Sequence, residues 1–109
     1  MRTLQDLVTN QERVWLWFAT NQAKELFVRR CREEGFTFPD GILPTLETTG
    51  DLTAIHNDRS LSGLTIFVWV MSFHAPGMPQ RIDYEAYSAG QADYLCHDPK
   101  FICAAPPKD

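Results

Sequence analysis

"LTIFVWVMSFH", residues 64–74, is the stretch on which the reading of this chain turns. It carries no charge before its closing histidine, and both sets of alternate positions are apolar. Leu64, Ile66, Val68 and Val70 make one set; Phe67, Trp69, Met71 and Phe73 make the other. β-Branched and aromatic residues at a period of two favour an extended chain. The pattern predicts a strand from about 64 to 74, returning from a bend at "NDRS", residues 57–60. Such a strand is apolar on both faces, so the sheet that holds it needs cover on both sides.

The segments on either side supply that sheet. "RVWLWFA" alternates in the same way, with Val14, Leu16 and Phe18 on one face and Trp15 and Trp17 on the other. This predicts a first strand, again apolar on both sides. "TNQAKELFVRRCREEG", residues 20–35, has the helical period: Ala23, Leu26, Phe27 and Cys31 form one stripe. Thr20 or Asn21 is the expected cap and Gly35 the expected stop. Thr3 followed by Asp6 resembles a capping box, and with Leu4, Leu7 and Val8 it predicts a short helix over 3–9. Residues 35–50 read as a long connection with a turn at Pro39-Asp40-Gly41. "DLTAIH" is a second strand, and "APGMP" at 75–79 is a breaker. "RIDY" is a short fourth strand, and "YEAYSAG" a helical turn or two ending at Gly90.

The predicted fold is therefore one α+β domain over residues 1–95. It has a mixed or antiparallel sheet of three to four strands in the order β-α-β-β-β, one main helix on one face, and short terminal helices. The connection between the first two strands is read as a right-handed crossover. With the third strand between them, the two most apolar strands lie side by side. The remaining segment, 96–109, holds three prolines and no period, and is expected to be a flexible tail.

Composition narrows the function classes. The chain has 109 residues, enough for one ordinary domain, with hydrophobic residues at 44% and charged residues at 22%. A formal net charge of −4 lacks the basic excess that phosphate neutralisation requires, so no nucleic acid is expected as a partner. The longest apolar run is about half of the roughly 20 residues a membrane helix needs, and no membrane association is expected. "MRTLQDLVTN" does not read as a signal peptide. Cys31, Cys96 and Cys103 form no close pair, so free thiols and a cytoplasmic location are expected.

The chemistry-bearing residues do not assemble into a motif. His56, His74, Cys96, His97 and Cys103 are the possible metal ligands, but none shows the paired spacing of a zinc site. No metal or cofactor is expected. His56 lies beside the predicted bend and His74 at the far end of its strand, which separates them. Asp51 with Glu47, and Asp83 with Glu85, read as surface carboxylates. No catalytic residue is assigned.

"EEGFTFPDGILPT" at 33–45, "RIDYEAY" at 81–87 and "DYL" at 93–95 together resemble a family of small uncharacterised proteins. Its members are carried by phages, prophages and conjugative elements of Gram-positive gut bacteria. They share a Glu-Gly-Phe stretch after the helix, an Asp-Gly followed by Pro-Thr, and a late Asp-Tyr pair. The resemblance covers about residues 1–95 and brings no catalytic or binding residue with it. It implies an accessory protein of a mobile element.

What covers the second sheet face stays open between three answers. The N-terminal helix and the segment around Tyr84, Tyr87, Tyr94 and Leu95 could fold over it. A second copy could cover it, giving a homodimer through Trp15, Trp17, Phe67, Trp69 and Phe73. A foreign partner or ligand could occupy it. The reading favoured is a non-enzymatic binding or accessory protein that self-associates through this aromatic sheet face. Its rivals are an inhibitor of a host defence protein, acting on a host protein partner, and a small enzyme or nucleotide-binding protein. The last requires His56 or His74 to meet Asp51 or Asp83 in one pocket.

Overall fold

The computed structural model describes residues 2–97 and shows an α+β domain built on a mixed four-stranded sheet. In chain order its elements are α1 (Leu4–Val8), β1 (Arg13–Trp17), α2 (Asn21–Glu34), β2 (Leu52–His56), β3 (Leu61–Gly63), α3 (Ile66–Ser72), β4 (Gln80–Asp83) and α4 (Tyr84–Ser88). The strands lie in the order β3-β2-β1-β4. β1 runs antiparallel to β2 and parallel to β4. The second strand thus pairs directly with the first and no strand comes between them. Because that pair is antiparallel, α2 and the long connection after it return the chain without a right-handed parallel crossover.

Local chemistry explains most boundaries. Thr3 Oγ1 accepts from Asp6 N at 3.1 Å and the Asp6 carboxylate accepts from Thr3 N at 3.1 Å, closing the capping box of α1. The Glu34 carboxylate, at the end of α2, accepts from Leu4 N at 2.9 Å and Gln5 N at 3.0 Å. All of these are amide donors that a helix start leaves without intrahelical partners. Thr20 caps α2 by accepting from Ala23 N, and Gly35 ends it at φ 80°, a left-handed conformation that suits glycine. Gly41 completes the Pro39-Asp40-Gly41 turn at φ 85°.

Residues 64–74 depart from the predicted strand. β3 ends at Gly63, Thr65 caps a helix by accepting from Val68 N at 3.1 Å, and residues 66–72 are helical. Valine, isoleucine, phenylalanine and tryptophan each lie about 0.5 kcal/mol below alanine in helix propensity, so the local preference is overridden. The register shows why. β3 pairs with β2 so that Gly63 faces Thr53, and β2 begins at Leu52. An eleven-residue strand from Leu64 would outrun its partner almost at once and leave its amides unpaired. A helix satisfies them within itself.

The sheet is covered on both faces by the chain itself. On the first face, Val14, Leu16, Phe18, Ile55, Leu61 and Ile82 pack beneath α1, α2 and α4. Phe18, Phe27 and Tyr84 form a ring cluster there, with centroids 4.9–5.8 Å apart. On the second face, Trp15, Trp17, Leu52 and Ala54 pack with Trp69 and Cys96, and Leu64, Val70, Phe73 and Met78 lean on them. Cover on this face comes from α3 and the segment after it. The N-terminal helix and Tyr84, Tyr87 and Tyr94, proposed for that role from the sequence, pack on the first face instead.

Residues 94–96 close the outer edge of β4. Asp83 N donates to Tyr94 O and Cys96 N to Arg81 O, both at 2.8 Å. Cys96 is buried, so the packed chain runs past the expected boundary at residue 95. Residues 98–109, most of the expected tail, lie outside the described residues.

Candidate interaction surface

The five residues expected at an association surface are divided by α3. Trp69 is fully buried, and Trp15 and Trp17 are buried beside it. Phe73 is half-buried, its ring centroid 6.0 Å from that of Trp69. Phe67 alone stands out, 71% exposed. The tryptophan face of the sheet is thus interior in this chain, and the outward apolar surface belongs to α3.

α3 is short and apolar nearly all round. It buries only Trp69 and Ser72, while Ile66, Phe67, Val68 and Met71 are exposed. The stretch from Leu64 to Phe73 contains no charged residue. A helix that is apolar on its outer side marks a surface made for contact more often than one made for water. The alternation seen in the sequence hid this, because the buried stripe is a single turn with a serine in it. The signal that was legible is the missing polar face: in either conformation, one side of this stretch had to show large apolar groups.

Arg81 fastens the end of α3. Its guanidinium lies 4.3 Å over the Phe73 ring, and Nη1 donates to Ser72 O at 3.3 Å and Pro79 O at 3.4 Å. A cation at the carbonyl end of a helix is favourably placed. Hydrogen bonding around Trp69 and Arg81 is nevertheless incomplete. Trp69 Nε1 and Arg81 Nε are both buried without a hydrogen-bond partner, which is unusual for interior donors.

The chemistry-bearing residues stay apart. His56 Nε2 lies 3.1 Å from Ser62 Oγ, and Asp51 holds Lys24 Nζ at 2.9 Å. Asp83 caps α4 by accepting from Glu85 N and Ala86 N, and burial pushes its carboxyl above the usual range. His74 is exposed. Among the described residues, no group of three His, Cys, Asp or Glu is placed to hold a metal ion. Asp51 borders an open cleft of about 370 Å³ with Trp17, Leu52, Leu64 and Ile66, but neither His56 nor His74 reaches it. Burial raises the Cys96 thiol to about 12 and the Cys31 thiol further still, which suits neither to act as a nucleophile near neutral pH. No helix among the described residues is long and apolar enough to cross a membrane.

Comparison with protein-family models, curated proteins and solved structures finds no match to this chain.

Proposed function

We propose that this chain is a non-enzymatic binding protein that self-associates through the apolar segment at α3. The observation that carries this reading is the set Ile66, Phe67, Val68 and Met71, four large apolar side chains exposed on one uncharged helix. Together they present an apolar area on the order of 400–500 Å², the size of patch that is often functional on a monomer. Two such patches supply roughly 800–1,000 Å², so a stable interface of roughly 1,200–2,000 Å² draws the remainder from their polar rims. The patch itself sets no charge against a second copy. The molecule carries a net −4, so two copies repel at long range, and an uncharged contact adds no further like-charge opposition.

An accessory role in a phage or other mobile element, suggested by the family resemblance, is compatible with a small module of this kind. The experiment is light scattering across a concentration series at moderate salt. The expected result is a dimer of twice 12.5 kDa in the native chain. Phe67→Glu should give a folded monomer, with circular dichroism matching that of the native chain. A native chain that stays monomeric at every concentration would remove the reading.

A further inference from the structure

We infer that the outer side of α2, with the turn at Leu46, is a docking surface for an acidic segment of another protein. This surface lies across the sheet from α3, because α2 packs on the first face and α3 on the second. It is therefore independent of self-association. A shallow cleft of about 420 Å³ runs between helix and turn, lined by Glu25, Val28, Arg29, Arg32 and Leu46.

The apolar part of the cleft is displayed by a fixed turn. Pro44 is fully buried and anchors the connection after α2. Just beyond it, Thr45 N donates to Thr48 Oγ1 at 2.8 Å and Thr48 N donates to Thr45 Oγ1 at 3.2 Å. Leu46 stands between these two threonines, exposed, and shares the cleft with half-buried Val28. Together they offer an aliphatic wall to one apolar side chain of a partner.

The charged part is what remains once the other ions of α2 are engaged. Arg30 holds Glu33 at 3.0 Å, Asp51 holds Lys24 at 2.9 Å, and Glu34 accepts from amides of α1. Arg29 and Arg32 are exposed, and among the described residues neither guanidinium has an ion-pair partner. Three positions apart on a helix, their Cβ atoms lie about 5–6 Å from one another. Guanidinium groups receive carboxylates in a planar fork. On a molecule of net −4 the two arginines reverse the sign locally, which draws an acidic partner to this side. Nucleic acid fits less well, because two cations with Glu25 beside them neutralise little phosphate. The occupant is a peptide segment with carboxylates for Arg29 and Arg32 and an apolar side chain for Val28 and Leu46.

Selection of short random peptides on the full native chain tests this, each selected peptide then being titrated while backbone amide shifts are followed. The expected peptides combine aspartate or glutamate with an apolar residue and shift the amides of Val28, Arg29, Arg32 and Leu46. Arg29→Gln with Arg32→Gln should weaken their binding roughly tenfold. Leu46→Ala should weaken it as well, and Phe67→Glu should leave it unchanged. All four residues are exposed, and circular dichroism checks that each variant keeps the native fold. Selected peptides without acidic residues, or ones that bind the double arginine variant equally well, overturn the proposal. Selection that enriches nothing over the bare support does the same. A single-stranded oligonucleotide that shifts these amides more than the peptides do would assign the surface to phosphates. Shifts there that follow protein concentration alone would assign it to a second copy, and either result also overturns the proposal.

Discussion

Phe67 and Trp69 are two positions apart in sequence and on opposite sides of α3, one largely in solvent and one fully enclosed. That difference sets their energetic weight. Trp69→Ala should lower unfolding free energy by about 3–5 kcal/mol, the usual penalty for deleting a large aromatic from a core. In dilute, monomeric solution Phe67→Ala should stay within about 0.5 kcal/mol, as surface changes do. Trp69→Phe should cost about 1 kcal/mol or less, because it keeps a ring and removes an N–H that has no partner. Urea titration of the three variants checks all of this. A Phe67→Ala penalty in the monomer as large as that of Trp69→Ala would place Phe67 in a core that this structure does not contain. Neither residue's role was legible from its own letter. Alternation put both tryptophan and phenylalanine on one strand face, whereas the helical turn sends them apart.

Among the elements, α1 depends on another part of the chain. At five residues it is far below the length at which a helix persists alone, and Glu34 of α2 accepts from two of its first amides. Glu34→Gln keeps the shape and removes the charge, so it should cost about 1–2 kcal/mol. Hydrogen exchange should quicken first over Leu4–Val8. Uniformly unchanged exchange there would show that the Thr3 box suffices. The start of α4 carries a different signature. The Asp83 carboxyl is raised mainly by burial, so the folded chain binds its proton more readily than the unfolded chain does. The sign follows: stability from this group falls as pH rises from the unfolded to the folded value, then levels off. Asp83→Asn retains a capping oxygen and should flatten that part of the curve in a melting series over acidic pH. Caps and turns were legible here because their causes are local: Thr3 with Asp6, Thr20, Gly35 and Pro39-Asp40-Gly41 act within a few residues. The conformation of 64–72 was not, because it depends on where β2 begins. The candidate surface was half legible for the same reason: the need for cover on the second face could be read from Trp15 and Trp17, but not which segment provides it.

At the scale of the molecule, the sheet joins segments distant in sequence. β1, at residues 13–17, has β2 on one side and β4, at residues 80–83, on the other. The α+β class follows from alternation and breakers, but β3 at Leu61–Gly63 and the central place of β1 do not, since pairing is a property of the whole set. This arrangement has a consequence for the making of the protein. Translation proceeds at about 5–20 residues per second, so several seconds separate the emergence of β1 from that of its parallel neighbour. During that interval Val14 and Leu16 meet β2 and the helices made before β4, and Ile82 is still to come. The sheet's last place is filled when residues 80–83 and the edge-closing 94–96 leave the ribosome. A nascent chain arrested shortly before that point should therefore be digested by protease far more readily than one arrested after it.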